Sequence, residues 1–184
     1  MNLSQWFRDQ LQASAEGFVW GAEQVPTARR DLQPPEGLGE WTAARHIFHL
    51  WYYEQTIALP SMQQWLGEAF PAAEIPDEDI VWSESQPDVE SLLTKFKKVR
   101  SEQIALLPKF TDTLWHESRQ AVWPRPVTLL WVVSKTYQHT AEHINDVMRI
   151  ALFWDSFAAR QKSKESISRQ FENMPVHCWV SEQG

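Results

Sequence analysis

The amino-acid sequence predicts an all-α protein with the architecture of a four-helix bundle, and three observations support this fold class. Four segments place apolar residues three and four positions apart, which is the spacing of one face of an α-helix. The chain has only 6 glycines in 184 residues, which disfavours a turn-rich β fold. Hydrophobic residues make up 43%, enough for one packed core. We therefore expect a bundle domain over residues 1–155, followed by an accessory helix and tail over residues 156–184.

The first two helices are bounded by recognisable start and stop residues. Apolar periodicity predicts the first helix over residues 3–24. The second helix begins after Thr42, whose hydroxyl can cap the first turn, and runs to about Leu59, where Pro60 stops it. Residues 60–87 are interrupted by prolines, so we expect an irregular connection with at most a short helical extension at its start.

The third helix covers about residues 88–107, with Asp88 as its N-cap, and the fourth runs from about Thr128 to Trp154. The long connection before the third helix leaves room for a crossover, which predicts an up-down-down-up order. A charge run in the third helix is interpreted as a solvent-exposed face; it comprises Lys95, Lys97, Lys98 and Arg100. The predicted inward stripe of the fourth helix is apolar at both ends and polar in the middle; it comprises Leu129, Val132, Thr136, His139, His143, Val147, Ile150 and Trp154.

Charge and segment composition exclude several classes of partner. The formal net charge of −7 opposes binding to nucleic acid or to an anionic membrane, because both require a basic face. The sequence has no run of 18 apolar residues and its first residues do not resemble a signal peptide. The single cysteine, Cys178, excludes an internal disulfide and fits a reducing compartment. We expect a cytoplasmic protein with neither nucleic acid nor membrane as its partner.

Three of the histidines are candidate metal ligands. His139 and His143 lie four residues apart on the fourth helix, so both imidazoles face the same side and can reach one metal ion. Zinc proteases use this spacing with a glutamate directly after the first histidine, but Thr140 occupies that position here. The second helix offers His46 or His49 as a third ligand, and their spacing does not choose between them. Three protein ligands would leave coordination positions open, as in catalytic sites.

Carboxylates near these histidines are candidate helpers. Glu54, Glu142 and Asp146 each lie close in sequence to a histidine and could orient an imidazole or act as a general base. A solvent-facing carboxylate is the commoner arrangement for each of them. Glu54 is the strongest catalytic candidate because its neighbours in the sequence are apolar. His116 and His177 fall in a predicted loop and in the tail, and we expect both on the surface.

Two segments of the sequence resemble the signatures of a known superfamily. In residues 41–50, Trp41 is followed eight residues later by a His-Leu pair, and a His-x-x-x-His pair, His139 and His143, lies early in the long last helix. Together these features resemble the DinB/YfiT-like superfamily of metal-dependent enzymes. The resemblance implies an up-down-down-up four-helix bundle with one divalent metal bound by three histidines. The offset from Trp41 selects His49 as the ligand from the second helix.

The resemblance covers roughly residues 3–154 and also implies a class of function. Characterised relatives include transferases and isomerases that use low-molecular-weight thiols such as mycothiol or bacillithiol, with the metal activating the thiol. We therefore expect a metal-dependent enzyme that acts on a small molecule as a thiol transferase or a hydrolase. Zinc or nickel is the leading candidate for the metal, and iron or manganese is a further one. The chain departs from the family pattern in its aromatic segment at residues 51–53 and in its tail.

Two alternatives to an enzyme are compatible with the sequence. The first is a non-catalytic metal-binding or stress-response module that works as a dimer, with His46 or Glu54 closing the metal site. The second is a structural bundle whose core histidines are satisfied by ordinary hydrogen bonds, without a metal. A homodimer is the expected assembly, since it is the commonest one.

Overall fold

The computed structural model describes residues 2–70, 75–85 and 87–172, and seven α-helices account for most of them. The helices are α1 (Leu3–Gln24), α2 (Ala43–Tyr53), α3 (Leu59–Gln64), α4 (Glu78–Ser85), α5 (Val89–Leu106), α6 (Asp112–His116) and α7 (Leu129–Glu172). A π-helical turn, Glu54–Ala58, joins α2 to α3, and short 3-10 turns cover Thr27–Arg29 and Leu107–Lys109. Strand β1 (Ser118–Arg119) pairs antiparallel with β2 (Val127–Thr128).

Helices α1, α2, α5 and α7 form the predicted four-helix bundle. Both α1 and α2 pack against α5 and α7. A Cβ atom at Gly17 would lie 3.5 Å from Ile144 Cδ1, and one at Gly21 would lie 3.3 Å from Val147 Cγ2, so α1 and α7 run in the same direction. Phe18 packs edge-on against Phe96 at 5.2 Å between ring centroids, which joins α1 to α5. These pairings are compatible with the predicted up-down-down-up order.

The core is divided into two main apolar clusters with polar side chains between them. One cluster contains Phe7, Trp65 and Trp115, and the other contains Phe48 and Phe96. The predicted inward stripe of α7 is confirmed, since all of its members are buried except Trp154, which is half-buried. The histidines of this stripe therefore lie inside the bundle rather than on its surface.

The predicted helix starts are confirmed by the capping hydrogen bonds. Thr42 Oγ1 accepts a hydrogen bond from the backbone N–H of Arg45 at 3.1 Å. Asp88 Oδ1 accepts one from the backbone N–H of Ser91 at 2.8 Å. Each bond satisfies an N–H group that has no partner within its own helix. The cap at Thr42 fixes where α2 starts, and thereby which face of α2 presents its histidines.

The sequence predicts that the second helix stops at Pro60, and this prediction is wrong. Regular α-helix ends at Tyr53, the π-helical turn follows, and α3 continues the helical path to Gln64. Pro60 lies in the first turn of α3. A proline is tolerated there because the N–H that it lacks would have no regular α-helical partner. The connection to α5 is also less irregular than predicted, since it contains α4.

The last helix is longer than predicted. The sequence predicted an end near Trp154 and a separate accessory helix, but α7 is one helix of 44 residues that continues to Glu172. Good helix formers such as Ala, Arg, Gln, Lys and Glu follow Trp154, and they maintain a helix without an apolar stripe. The domain boundary at residue 155 stays a prediction, and His177 and Cys178 lie outside the described residues. Of the described helices, even α7 is not apolar enough to cross a membrane.

Candidate metal centre

Four histidines meet in the polar middle of the bundle, two from each of two facing helices. His46 and His49 lie three residues apart on α2, and His139 and His143 lie four residues apart on α7. Both spacings place the two side chains on one face of their helix. His46, His139 and His143 are buried, with 7–8% of their surface exposed, whereas His49 is half-buried. The structure thus brings all four histidines into one cluster.

The Nε2 atoms of three histidines converge on one point. His139 Nε2 lies 3.0 Å from His49 Nε2 and 3.2 Å from His143 Nε2. Two imidazole nitrogens that each bind one ion at about 2.0–2.1 Å lie about 2.9–3.4 Å apart for bond angles between 90° and tetrahedral. The separations therefore match those of ligands around a single metal ion. His49, His139 and His143 form one of the two groups of described residues that could hold a metal ion.

The other ring nitrogen of His49 faces a carboxylate. His49 Nδ1 lies 2.8 Å from both carboxylate oxygens of Glu78 on α4, and Arg45 Nη2 forms an ion pair with the same carboxylate at 2.8 Å. A neutral His49 must therefore carry its proton on Nδ1, which leaves the lone pair of Nε2 directed at the cluster. Sequence reasoning missed Glu78. The signal that could have located its helix is Asp77, whose side chain caps α4 through the N–H of Asp79 at 2.9 Å.

His46 belongs to the cluster but not to the group formed around the Nε2 atoms. His46 Nδ1 lies 2.9 Å from His143 Nδ1, on the side of the His143 ring that is remote from the Nε2 cluster. Asp146 Oδ2 lies 4.0 Å from His46 Nδ1. His46, His143 and Asp146 form the second group of described residues that could hold a metal ion.

Burial keeps His46, His139 and His143 neutral. Desolvation, together with the neighbouring histidines, lowers the pKa of His139 and of His143 to about 3. Desolvation, with the charges of His49 and Arg45, lowers the pKa of His46 to about 4. Metal ligation requires deprotonated imidazole. At neutral pH these three buried histidines therefore present lone pairs rather than positive charges.

Two aromatic rings form walls of the cluster. The Trp41 ring lies 4.9 Å from His49 and 5.4 Å from His46, between centroids. On the other side, the Tyr53 ring lies 4.5 Å from His139. Burial raises the pKa of the Tyr53 phenol. Its hydroxyl and His139 Nδ1 are both buried and find no hydrogen-bond partner among the described residues.

Glu54 lies in a buried ion pair next to this cluster. It is fully buried in the π-helical turn, where Arg100 Nε donates to its Oε2 at 3.2 Å and Arg100 Nη2 donates to its Oε1. Arg100 Nη2 also donates to Thr140 Oγ1 at 2.7 Å, and Thr140 follows His139 in the sequence. Burial raises the pKa of Glu54, while Arg100 and Thr140 oppose that shift. Glu54 belongs to neither of the two groups that could hold a metal ion.

The charge run of α5 is only partly a solvent-exposed face, so that prediction was wrong for one residue. Lys95, Lys97 and Lys98 are exposed, but Arg100 is 2% exposed because it points into the bundle. Its guanidinium also donates to the backbone carbonyl of Leu11 at 3.2 Å. A long charged side chain can be buried in this way when its donors find acceptors.

The remaining predicted candidates lie away from the cluster. Glu142 is exposed and accepts a hydrogen bond from Gln138 Nε2 at 3.0 Å, one turn earlier on α7. His116 is exposed at the end of α6, as predicted. Neither residue contributes to a group of described residues that could hold a metal.

Comparisons with known proteins agree with this architecture. A solved structure of YfiT from Bacillus subtilis, described as a probable metal-dependent hydrolase with an unusual four-helix bundle topology, superposes with a TM-score of 0.67. The two sequences are 18% identical, and the match covers 80% of this chain and 85% of that chain. This likeness supports the fold that the sequence predicts. A comparison with curated protein sequences gives no match.

The family comparison extends over most of the bundle. The family model described as the DinB superfamily matches residues 10–147. The matched range begins within α1 and includes all four clustered histidines together with Glu78. It covers well over half of the 184 residues, and the resemblance that the sequence motifs indicated is therefore confirmed. This chain belongs to the DinB superfamily.

Proposed function

We propose that this protein is a metal-dependent enzyme that binds one divalent ion through the Nε2 atoms of His49, His139 and His143. The observation that supports this proposal most directly is the convergence of the three Nε2 atoms: His139 Nε2 lies 3.0 Å from His49 Nε2 on the facing helix and 3.2 Å from His143 Nε2. Membership of the DinB superfamily and the likeness to YfiT support the same reading.

The donor set fits a divalent cation better than it fits a network of hydrogen bonds. His49 carries its proton on Nδ1, toward Glu78, so its Nε2 is an acceptor. When His143 donates from Nδ1 to His46, its Nε2 is an acceptor as well. His139 has at most one Nε2 proton to offer these two acceptors, while its own Nδ1 is buried without a partner among the described residues. A cation satisfies all three lone pairs at once.

Zinc or nickel is the metal that we propose, with iron or manganese as further candidates, because imidazole suits several divalent ions. A bound divalent ion would lower the pKa of a water in its open coordination positions toward 7, and would deprotonate a bound thiol. Hydrolases need the first activation and thiol transferases need the second. We propose a small-molecule substrate in either case. YfiT is described as a probable hydrolase, which supports the hydrolase class. A low-molecular-weight thiol is the alternative co-substrate.

Residues of this chain would hold and shield the reacting groups. Glu78 orients His49, and His46 orients His143 through Nδ1. Trp41 and Tyr53 provide apolar walls that exclude water, and the unpartnered Tyr53 hydroxyl is a candidate hydrogen-bond donor to a bound substrate. Glu54 stays a proposed helper; its contacts with Arg100 and Thr140 support a positioning role rather than direct proton transfer.

An open site is favoured over a closed, non-catalytic one. The alternative module needs a fourth protein ligand from His46 or Glu54. His46 Nδ1 faces His143 Nδ1 instead of the Nε2 cluster, and Glu54 is paired with Arg100. Neither His46 nor Glu54 therefore acts as a fourth ligand in this proposal. The remaining coordination positions of the ion stay open for a substrate.

We also propose a cytoplasmic homodimer. Apolar side chains on the outside of α1 and α7 support association, since Trp20 is 55% exposed and Leu152 is 65% exposed. The net charge of −7 supports a partner other than nucleic acid or an anionic membrane.

Metal content measured by elemental mass spectrometry on tag-free protein tests the proposed site. The wild type should contain at least one equivalent of a divalent metal after purification or after incubation with zinc, nickel or iron. The variant with His49→Ala, His139→Ala and His143→Ala should contain none at the cluster. The matched control His116→Ala changes an exposed histidine and should retain the wild-type content. Absence of metal from the wild type under all of these conditions would overturn the enzyme proposal and favour a structural bundle.

A further inference from the structure

The second group of metal-ligand residues lies on the opposite side of the His143 ring from the Nε2 cluster. His46 Nδ1 and His143 Nδ1 are 2.9 Å apart, and Asp146 Oδ2 is 4.0 Å from His46 Nδ1. One ligand atom from each of these three residues lies within 4.8 Å of the other two. Two imidazole nitrogens and one carboxylate oxygen form a ligand set that zinc, copper and nickel accept.

This group is accessible from solvent through a cavity of about 330 Å³. The residues that line the cavity include Trp41, His46, His143, Asp146, Arg149 and Glu40. The Asp146 side chain is 36% exposed, so its carboxylate can rotate about its own bonds toward the two nitrogens without a change in the core. An ion could therefore enter from solvent without passing through the Nε2 cluster.

We propose that His46, His143 and Asp146 form a second divalent-cation site, and that the His143 ring joins it to the first site. The inference rests on the proposed function, because His143 would bind the first ion through Nε2 and the second through Nδ1. Nothing in the comparisons assigns a second ion to this chain. The bundle would then hold a pair of ions bridged by one imidazole.

Binding of the second ion would release one proton from His143. With only the first ion bound, the Nδ1 proton of His143 is donated to Nδ1 of His46, which is neutral and accepts it. The second ion takes the lone pair of His46 Nδ1 and displaces that proton from His143 to solvent. One proton is therefore released for each second ion bound, and His143 becomes an imidazolate with a charge of minus one.

The surrounding charges compensate for two dications in one bundle. The imidazolate and the Asp146 carboxylate would each contribute one negative charge to the second ion. Glu78, beside His49, is already paired with Arg45, and Glu40 lies in the cavity wall together with Arg149, so the imidazolate and Asp146 supply the local compensation. Without such compensation, two dications in a buried site would repel one another strongly. Asp146 lies one turn after His143 on α7, so its carboxylate can offset part of the positive charge of the second ion.

Zinc stoichiometry measured on metal-free protein tests the second site. We expect two zinc equivalents per chain in the wild type at saturation, the first tighter than the second. In Asp146→Asn the first equivalent should remain, whereas the affinity of the second should fall by more than about tenfold, since a lost ligand should cost at least as much as a lost outer-shell partner. The matched control Asp155→Asn, which changes an exposed aspartate on the same helix, should keep both equivalents.

A spectroscopic measurement identifies the bridge itself. When the wild type is loaded with two equivalents of Cu²⁺, an imidazolate bridge couples the two unpaired spins. The integrated electron paramagnetic resonance intensity should then fall clearly below two spins per chain. In Asp146→Asn the intensity should equal the copper that is bound. Full intensity in a wild type that holds two copper ions would overturn the bridge.

The zinc stoichiometries of the wild type and of Asp146→Asn distinguish a failure of the second site from a failure of the first. One zinc equivalent in both the wild type and Asp146→Asn would overturn the second site and leave the first intact. Two equivalents with unchanged affinity in both proteins would place the second ion elsewhere and also overturn it. No zinc in either protein would overturn the second site, and it would overturn the first as well if the wild type also binds neither nickel nor iron. Far-UV circular dichroism confirms that Asp146→Asn is folded, which we expect because the side chain is partly exposed.

Discussion

The His49 ring has a different kind of partner at each of its nitrogens. Nε2 lies 3.0 Å from His139 Nε2, while Nδ1 lies 2.8 Å from the Glu78 carboxylate. A carboxylate at that position fixes the tautomer and the ring orientation, and it also raises the basicity of the other nitrogen. Glu78 is therefore expected to contribute to metal affinity without touching the metal.

Replacing Glu78 by alanine should weaken zinc binding by about 10- to 100-fold, because His49 loses the partner that fixes its Nδ1 proton. Competition with a chelator of known affinity measures the change. The control is Asp79→Ala, which removes a carboxylate 2.6 Å from Arg45 Nη2 while the contact between Glu78 and His49 stays. If both variants lose affinity equally, Glu78 acts through Arg45 instead of through His49.

A second prediction for individual residues concerns the buried ion pair between Glu54 and Arg100. Arg100→Met leaves an uncompensated carboxylate in the core and should reduce the free energy of unfolding by about 3–5 kcal/mol. The double variant Glu54→Leu/Arg100→Met should recover most of that loss, because it removes both charges. Urea denaturation measures each value. The control Lys98→Met, at an exposed position, should change stability by less than about 0.5 kcal/mol. Losses that add in the double variant would contradict the pairing argument.

At the scale of helices, starts were more predictable than ends. Thr42 and Asp88 cap their helices through one side-chain bond each, which a short sequence window reveals. The end predicted at Pro60 was wrong because the preceding π-helical turn changes which backbone groups need partners. The end predicted near Trp154 was wrong because the apolar stripe stops there while helix propensity continues.

The contact between α1 and α7 allows a stabilising substitution. A Cβ atom at Gly17 would lie 3.5 Å from Ile144 Cδ1, which is ordinary van der Waals contact. Gly17→Ala should therefore increase the free energy of unfolding by about 0.5–1 kcal/mol, since glycine is that much less favourable than alanine within a helix. Thermal or urea denaturation measures the gain.

Gly21 provides the matched comparison on the same helix. Its added Cβ would lie 3.3 Å from both Met148 Sδ and Val147 Cγ2, so neighbouring side chains must move. We expect Gly21→Ala to gain less than Gly17→Ala. A loss of stability in Gly17→Ala would show that α1 and α7 are packed more tightly there than the contact distance indicates.

At the scale of the whole molecule, the sequence predicted the bundle, whereas the groups around His49, His139 and His143 were found only in the structure; that these three histidines bind a metal stays a prediction. The spacing of His139 and His143 and their place in an apolar stripe were sufficient to locate them inside. Glu78 is 29 residues from its partner His49, so only the tertiary fold brings the two together. The burial of Arg100 depends on acceptors from two other helices, which no local pattern reveals.

Metal binding should stabilise the whole bundle, because the three ligands come from α2 and α7 and meet only in the folded chain. A metal that binds the native state alone adds about 2.7 kcal/mol at a free concentration one hundred times its dissociation constant. Removal of metal by a chelator should therefore lower the Tm by several degrees. In His139→Ala, the chelator should have little effect. A wild-type Tm that does not respond to the chelator would contradict this coupling.

The π-helical turn at Glu54–Ala58 has a consequence for the way this helix can change in evolution. A π turn holds one residue more than a regular turn, so the two flanking segments differ in phase by about 100° around a common axis. His46 and His49 lie before the phase shift, whereas Leu59 and Met62 lie after it in the apolar core. Each segment can therefore have its own pattern of inward positions. Substitutions in the core-packing segment after the turn need not change which residues of the histidine segment face inward.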